Sequence, residues 1–521
     1  MEERHRIAKA AGLMGIATFI SRITGYIKDM ILAKFFGATG IADTFFVAFR
    51  IPNLLRELFA EGSMSSALIP VLTEYHTKQG KEEAKRLVRV IFTFIVIITG
   101  LICLAGVIFA PAIVTAIAPG FLDTPEKFSL TVLLTRVMFP FLLFISLAAL
   151  IMGALNTKRV FFIPSLAPAM LNIAIIVAVV IFALRMTQPI VAVAIGVTVG
   201  GLLQFVFQLP SFFKNGFSLM PYPDLRHPGL KKMSLLILPA TMGMAVAQIN
   251  IFVSTILASF LPEGSITYLY YSMRLIQFPV GIFGVAMGMA VLPTLSEHAV
   301  KREFGKLSED FSFALRLLFF ITVPAMVGLI ALREPIVNIL FQRGKFDYIA
   351  TIGTAQALLF YSIGIWAIVG VRVVTASFYS MQDTKTPVKV AVIALAVNII
   401  LSVILMKPLK HGGLALANSI ASCVNFSLLF FFLSRRLEKI DTRKILHSFV
   451  KTVFAAVIMG VIGAMLLQGE LWKIHGNTLN KAFYLSGTIA ICIGIYLFLS
   501  YLLKSEEGFY VIEMVKRKFK Q

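Results

Sequence analysis

Long apolar stretches separated by short polar connections dominate the pattern along the chain. Fourteen of them reach the length of about 20 residues that an α-helix needs to cross a bilayer. They lack the alternation of apolar and polar residues expected for the strands of a membrane β-barrel, and an open strand in lipid would leave its backbone groups unpaired. The pattern therefore predicts fourteen transmembrane helices, numbered here as spans 1 to 14, at 8–35, 41–72, 87–117, 129–154, 160–184, 188–211, 232–260, 265–296, 310–332, 350–379, 386–406, 412–434, 446–468 and 481–503.

Composition agrees with a membrane protein. Of the 521 residues, 58% are hydrophobic and 14% are charged, whereas soluble domains average about 45–50% and about 25%. These values exclude a soluble domain, a disordered chain and a disulfide-rich secreted protein. Cys103, Cys423 and Cys492 lie in separate apolar runs without CxxC spacing, which is typical of buried apolar residues. The first apolar run lacks a small-residue cleavage site and is interpreted as a retained span.

The net charge of +22 is unusual for so apolar a chain. Most of the excess lies in alternate connections, and the positive-inside rule predicts that this side is cytoplasmic. Both termini then lie in the cytoplasm, which is consistent with an even number of spans. The basic segments on this side are the N-terminus, Lys78–Arg89, Lys158–Arg159, Lys214–Lys232, Lys301–Lys306, Arg435–Lys444 and the tail from Lys504. The tail is expected to anchor to anionic lipid.

An internal repeat divides the chain. Phe46–Ile51 recurs as Tyr270–Leu275, and Leu68–Leu72 recurs as Val291–Leu295. The offset stays at about 223–227 residues and covers six spans, so both copies cross the membrane in the same direction. The sequence thus predicts an all-α polytopic membrane protein with two parallel six-helix lobes plus two extra C-terminal helices. Such paired lobes are typical of alternating-access transporters, whose substrate site lies between the lobes.

The repeat also predicts the domain boundaries. Residues 1–225 form an N-terminal lobe of spans 1–6, and residues 226–440 form a C-terminal lobe of spans 7–12. Residues 441–503 contain spans 13 and 14, which lie outside the repeat, and residues 504–521 form the basic cytoplasmic tail.

Charged residues inside the spans mark candidate functional positions, because each costs about 2.5–3.5 kcal/mol at the centre of a helix in the membrane. They are Arg22, Lys28 and Asp29 in span 1, Asp43, Arg50, Arg56, Glu57 and Glu61 in span 2, and Arg136, Arg274, Arg316 and Arg372 in later spans. Arg316 and Arg372 are interpreted as braces or as side chains that reach an interface. Glu57 and Glu61 are interpreted as counter-ions for the arginines of their own helix.

Arg22, Arg56 and Arg274 are the functional candidates. They lie well inside spans 1, 2 and 8, which a two-lobe transporter places around its central cavity. Arginine stays charged in poor solvent, and its planar fork fits phosphate oxygens. A cavity with this charge favours an anion that bears phosphates and disfavours cationic drugs.

Several longer motifs resemble lipid II flippases of the MurJ/MviN type and together cover nearly the whole chain. They are Ser21-Arg22 with Gly25 and Asp29, Phe36-Gly37-Ala38, Asp43–Arg56, Phe59–Gly62, Thr135–Pro140, Arg274 with Phe278-Pro279, Phe341–Phe346, and Gln382–Pro387. The resemblance implies the multidrug/oligosaccharidyl-lipid/polysaccharide exporter fold. It further implies that lipid II, the undecaprenyl-pyrophosphate-linked precursor of peptidoglycan, is moved to the outer leaflet of the bacterial cytoplasmic membrane.

The resemblance also implies roles for individual residues. The essential cavity arginines of the family correspond to Arg22, Arg56 and Arg274. Lys28 stands where the family often has another arginine, which keeps the charge without the bidentate fork, and Asp29 is expected to orient its neighbours. Supporting roles are expected for Ser21, Asp43, Arg50 and Glu57. Spans 13 and 14 would form the groove that holds the lipid tail.

Two alternatives remain open at this point. One is an exporter of another polyprenyl-linked oligosaccharide, or a multidrug antiporter of the same superfamily. The other is a membrane enzyme acting on polyprenyl phosphates, for which Asp43, Glu57 and Glu61 are the only acid–base candidates. No HExxH, P-loop or dinucleotide motif is present. We expect a transporter without enzymatic activity, cofactor, metal or nucleic-acid partner; membrane lipids are expected partners, and no particular cell-wall synthesis protein is indicated.

Overall fold

The computed structural model describes residues 2–57, 64–224, 226–437, 440–511 and 513, with side chains omitted for residues 2–11, 64–66 and 237–247. Every regular element in these ranges is a helix. Two compact units are present, Met1–Gly264 and Ser265–Gln521. Glu61 and the end of the basic tail, residues 514–521, lie outside the described residues.

In its described residues, the first unit contains eleven α-helices. They are α1 (Glu2–Phe36), α2 (Gly40–Arg56), α3 (Met64–Lys78), α4 (Lys81–Ile108), α5 (Ala110–Ile117), α6 (Pro125–Met138), α7 (Phe141–Thr157), α8 (Phe162–Val177), α9 (Pro189–Val206), α10 (Leu209–Lys214) and α11 (Pro228–Ser259). Helix α8 packs between α1 and α9, and α7 packs on α3, α4 and α9. Small residues allow these close approaches: a side chain at Gly200 of α9 would meet the backbone of Leu171 in α8.

The described part of the second unit contains ten α-helices. They are α12 (Ser265–Pro279), α13 (Ala286–Val300), α14 (Phe304–Ala331), α15 (Arg333–Phe341), α16 (Tyr348–Ser362), α17 (Ile365–Ser380), α18 (Lys385–Leu409), α19 (His411–Arg436), α20 (Thr442–Leu466) and α21 (Thr478–Leu502). Phe319, Trp366, Phe426 and Phe449 form an aromatic cluster that joins α14, α17, α19 and α20. Such edge-to-face ring contacts add to the burial of apolar surface.

The all-helical membrane fold predicted from the sequence is confirmed. In the described residues, eleven helices or broken helices are long and apolar enough to cross a membrane. They correspond to spans 3–6 and 8–14. Helices α1 and α11 run through predicted spans 1 and 7, but these spans and span 2 include residues whose side chains or placement lie outside the description. The count of fourteen therefore stays a prediction.

The order of helices repeats between the two units. Helices α4 to α9 begin at Lys81, Ala110, Pro125, Phe141, Phe162 and Pro189, and α14 to α19 begin at Phe304, Arg333, Tyr348, Ile365, Lys385 and His411. Each start in the second set lies 222 to 224 residues after its counterpart. The repeat found in the sequence is thus also present in the spacing of the helix starts.

Helix α11 belongs to the first compact unit, because it packs on α3, α4 and α5. The break between the units falls after this helix, at Gly264. The lobe boundary at 225/226 and the separate domains at 441–503 and 504–521 stay predictions based on the repeat.

Candidate functional site

Helix α1 carries the first group of candidate residues. Arg22 is exposed and forms no ion pair with the described side chains. Lys28 is mostly buried, and its Nζ lies 3.2 Å from Oδ1 of the fully buried Asp29. The positive charge of Lys28 is therefore largely offset by Asp29 of the same helix, whereas the side chain of Arg22 is exposed.

The position of α1 is set by an amide on the neighbouring helix. Asn172 of α8 donates to the backbone carbonyl of Ser21 at 3.2 Å and to Oγ1 of Thr24 at 3.3 Å. Ser21, predicted as a supporting residue, thus takes part through its backbone. Asn172 is half-buried, and Asn398, which lies 226 residues later on α18, is 2% exposed.

A second group lies at the C-terminal end of α2. Nε of Arg56 donates to Oδ1 of Asn53 at 3.1 Å, and Nδ2 of Asn53 donates to Oε1 of Glu57 at 2.9 Å. The Arg56 guanidinium lies 3.7 Å from the same Glu57 oxygen. Residues three and four apart share a helix face, which explains this clustering. The network confirms Glu57 as a counter-ion of its own helix and fixes the plane of the Arg56 guanidinium.

Helix α11 completes this second group. Nε2 of Gln248 donates to Oε2 of Glu57 at 2.8 Å. Asn53 and Gln248 were not predicted as site residues, because uncharged amides carry little cost in a membrane helix and give a weak sequence signal. Their contacts hold both oxygens of Glu57, so the carboxylate cannot turn freely toward Arg56.

Asp43 belongs to a different cluster, at the N-terminal end of α2. It is 2% exposed and accepts a hydrogen bond of 2.7 Å from the backbone N–H of Gly264. Nζ of Lys127 lies 3.9 Å from it and 4.4 Å from the centre of the Phe121 ring. Asp43 and Glu57 are separated by about 21 Å along the helix, from 14 residues at 1.5 Å each. They cannot act together as an acid–base pair.

Arg50 and Arg274 occupy equivalent positions in the repeat. Both are half-buried, Arg50 on α2 in the first unit and Arg274 on α12 in the second. Each helix leaves regular α geometry shortly afterwards, with a π-type turn at Glu57 and a π-helix at Val280–Val285. π-helical segments are rare and frequently occur at functional sites. The repeat therefore places an arginine just before an interruption in each unit.

The remaining arginines of the spans have other surroundings. Arg316 of α14 is 8% exposed and pairs with Glu507 at 2.6 Å and with Glu506 at 2.8 Å, which confirms its interpretation as a brace. Glu506 lies outside the spans, and its pKa is lowered by Arg316 first and by Lys444 second. Nε of Arg136 donates to the carbonyl of Val107 at 3.2 Å, and Arg372 is exposed.

Metal-ligating residues do not gather in the described part of the chain. Within it, no group of three or more His, Cys, Asp or Glu side chains is close enough to hold a metal ion. The candidate residues of the first unit are thus cations, amides and paired carboxylates, namely Arg22, Lys28, Asp29, Asn53, Arg56 and Glu57. Arg274 is the candidate of the second unit.

Comparisons with known proteins agree with this arrangement. The family model described as "Lipid II flippase MurJ" matches residues 32–509. The chain is 36% identical to a probable lipid II flippase MurJ of Vibrio cholerae over 507 residues, covering 94% of this chain and 95% of that protein.

Solved structures show the same likeness. A lipid II flippase MurJ in an inward closed conformation superposes with a TM-score of 0.78 at 29% identity, covering 94% of this chain and 98% of that one. An inward-facing multidrug resistance MATE transporter superposes with a TM-score of 0.66 at 17% identity, covering 81% and 95%, and shows the fold alone. The match over nearly the whole length, together with the cationic residues of α1, α2 and α12, shows that the chain belongs to the lipid II flippase MurJ family.

Proposed function

We propose that this protein flips lipid II from the inner to the outer leaflet of the bacterial cytoplasmic membrane by alternating access. The observation that carries the proposal is the family match, which extends over residues 32–509. The names of the matched relatives supply the substrate. The many apolar helices agree with a multi-pass protein, and the distribution of basic residues supports cytoplasmic termini.

The charge balance of the candidate residues suits a pyrophosphate. Arg22, Lys28, Arg56 and Arg274 supply four positive charges, and Asp29 and Glu57 supply two negative charges, which leaves an excess of +2. A pyrophosphate diester carries about two negative charges at neutral pH. Bound against this set, it would be neutralised while it is out of bulk water, where unpaired charge is costly.

Individual side chains have distinct roles in this proposal. Arg22 is exposed on α1, so it is placed to meet the head group first. Arg56 is held through its Nε by Asn53, which presents the guanidinium in one orientation. Its planar fork suits phosphate oxygens, and preorganisation lowers the entropy cost of binding. Lys28 contributes positive charge that Asp29 tempers, and Arg274 supplies the contribution of the second unit.

The lipid tail is proposed to stay in the membrane against α20 and α21. These helices pack on each other and lie outside the repeat. They carry a row of large exposed apolar side chains, which favours contact with a hydrocarbon chain. These side chains are Leu446, Val450, Phe454, Leu479 and Phe483.

Other functions fit the observations less well. A multidrug antiporter would need an acidic cavity for cationic drugs, and the likeness to the MATE transporter is one of fold alone. An exporter of another polyprenyl-linked oligosaccharide shares the pyrophosphate chemistry and is the second candidate. An enzyme is disfavoured because Asp43 and Glu57 lie in separate clusters.

Reconstitution into liposomes with labelled lipid II tests the proposal. Wild-type protein should move the label between leaflets, and Arg22→Ala, Arg56→Ala and Arg274→Ala should each slow the movement at least tenfold, because each loses a charge-assisted contact. Arg372→Ala is the matched control, since it removes an exposed arginine of a span outside the candidate set. Movement by Arg274→Ala at the wild-type rate would refute the role of that residue.

Complementation separates the two candidate substrates. A strain depleted of its own lipid II flippase should grow when it expresses this chain and fail when it expresses the arginine variants. Failure of the well-expressed wild-type chain would favour another polyprenyl-linked oligosaccharide as the substrate.

A further inference from the structure

A small basic pocket lies in the first unit, away from the candidate substrate residues, none of which lines it. Its volume is about 200 Å³. It lies where α3, the start of α4, the end of α7 and the turn after α10 meet. Its polar lining includes His76, Lys81, Lys85 and Lys158, without any Asp or Glu among the described lining residues.

The cations of this pocket are brought together by separate helices. Nζ of Lys158, at the end of α7, lies 3.4 Å from Nε2 of His76 on α3. Nζ of Lys158 also lies 5.9 Å from the centre of the Phe217 ring. Gly216, with φ at +79°, turns the chain so that Phe217 closes one side and the Lys85 side chain passes next to the turn. The concentration of charge is thus a product of the fold.

The backbone adds to the positive potential. Helix α4 has 28 residues and begins at Lys81, beside the pocket. The N–H groups of a first helical turn lack intrahelical acceptors and carry partial positive charge. One pocket cation is already paired, since Lys85 contacts the exposed Glu82 at 2.7 Å on the rim, whereas Glu74 pairs with Lys78 and Lys232, which do not line the pocket.

These features define the ligand chemistry. Three ammonium groups, a histidine and a helix start form a site for an anion, and their number suits the oxygens of a phosphate. The volume corresponds to about seven water molecules at about 30 Å³ each. It admits one phosphate group with water and is smaller than the pockets of about 300 Å³ or more that hold drug-sized molecules.

We propose that this pocket binds a single phosphate group, supplied by an anionic phospholipid head group or by a soluble phosphate ester. All of its cations lie in connections that the charge pattern predicts to be cytoplasmic. Anionic lipids and phosphate esters are both present on that side of the membrane. The site is additional to the proposed flipping of lipid II and does not depend on it.

His76 makes the binding of phosphate in this pocket depend on pH. Burial, then the charge of Lys158 and then that of Lys81, lower the pKa of His76 below its usual value of 6.5. Lys85 of α4 is the other charged group that lines the pocket, and Glu74, two residues before His76 on α3, pairs with Lys78 and Lys232. A phosphate would offset the lysines and raise the pKa of His76 again, so binding takes up a proton and strengthens as pH falls.

Binding experiments on the full chain in neutral detergent test the proposal in two arms. Native mass spectrometry compares phosphatidylglycerol with phosphatidylcholine, and phosphorus NMR line broadening measures binding of glycerol 1-phosphate. Lys158→Gln and the exposed Lys81→Gln should each weaken binding about 10-fold to 100-fold, as expected for a lost charge-assisted contact. Lys231→Gln, an exposed lysine outside the pocket, is the matched control and should change affinity less than twofold.

The arms also identify the source of the phosphate. Preference for phosphatidylglycerol that is lost in Lys158→Gln assigns a lipid head group, and binding of glycerol 1-phosphate with the same loss assigns a soluble ester. Absence of binding in both arms, or equal loss in Lys158→Gln and Lys231→Gln, overturns the proposal. The role of His76 is tested with phosphatidylglycerol, because its phosphodiester keeps a single charge between about pH 6 and pH 8. Wild-type affinity for it should rise as the pH falls over this range and stay constant in His76→Gln; constant wild-type affinity overturns the role of His76.

Discussion

Replacement of Arg316 by leucine removes the cation that holds the C-terminal segment of the second unit. Arg316 contacts Glu507 at 2.6 Å and Glu506 at 2.8 Å. Glu507 is 2% exposed, and its other oxygen accepts a hydrogen bond of 3.0 Å from Ser505. The variant would therefore keep the serine contact and leave a buried carboxylate without its cation.

The expected cost follows from this burial. Removal of one partner of a buried ion pair typically costs about 3–5 kcal/mol, because the remaining charge is uncompensated. Loss of the contact with Glu506 adds little to this cost, since Glu506 is exposed and still pairs with Lys444 at 3.0 Å. A cost of 3 kcal/mol corresponds to more than a hundredfold change in an equilibrium constant. Residues 503–511 should therefore detach from α14 at least a hundredfold more often than in the wild type.

Hydrogen exchange measured by mass spectrometry reports this opening directly. Backbone amides of residues 505–511 should exchange at least a hundredfold faster in Arg316→Leu, while those of α17 stay protected. Arg436→Leu is the matched control: its pair with Asp383, at 2.8 Å, is half-exposed at the arginine and should contribute less than about 1 kcal/mol. Equal exchange in the wild type and Arg316→Leu would refute the reasoning that this pair anchors the segment.

Three further predictions concern packing, a helix start and the substrate site. Gly200→Ala should destabilise the first unit by about 1–3 kcal/mol, because the added methyl group would meet Leu171 of the neighbouring helix α8. Gly487→Ala is the control, since its methyl group would meet nothing within 4 Å, and it should not destabilise the protein. Unfolding midpoints of the two variants in detergent check this prediction. Asp383→Ala should cost about 0.5–2 kcal/mol at pH 7, because the Asp383 carboxylate accepts from the backbone N–H groups of Lys385 and Thr386 at the start of α18. The Thr386 backbone N–H, then the Thr386 hydroxyl and Arg436, lower the pKa of Asp383. The stabilisation by the Asp383 carboxylate is therefore present above pH 4 and is lost as the pH falls through the lowered pKa. A difference in stability between wild type and variant that is the same at pH 3 as at pH 7 would contradict this prediction. Asn53→Ala should slow lipid II flipping several-fold with unchanged folding, because Arg56 loses the acceptor that orients its guanidinium. Flipping by this variant at the wild-type rate would show that the contact is dispensable.

The arginines in the spans show which ion pairs can be predicted from the sequence and which cannot. Sequence reasoning separated Arg316 as a brace from Arg56 as a candidate site residue, and Arg316 does pair with two carboxylates. It also predicted Glu57 as a counter-ion, because residues on one helix have known relative directions. Arg316 and its partners, however, are about 190 residues apart in sequence, and no local pattern connects them.

The candidate site was incompletely predicted where its members are uncharged or distant. Asn53 and Gln248 orient Glu57, yet neither is conspicuous in a membrane helix. Because Asp43 shares a helix with Arg56, the sequence predicts it as a supporting residue of the site. The structure instead ties it to Gly264 and Lys127, at the other end of that helix.

The sequence by itself determined the helical membrane fold, the repeat and the excess of cations within the spans. These features follow from local rules: a bilayer requires apolar helices of a fixed length, and a charged side chain within it is energetically costly and therefore conspicuous in the sequence. Only the tertiary structure decided which carboxylate neutralises which arginine, that Asp43 lies apart from Glu57, and that His76 and Lys158 meet in one basic pocket. Such pairings join residues far apart in the chain, and they depend on how the helices pack rather than on the pattern along any one of them.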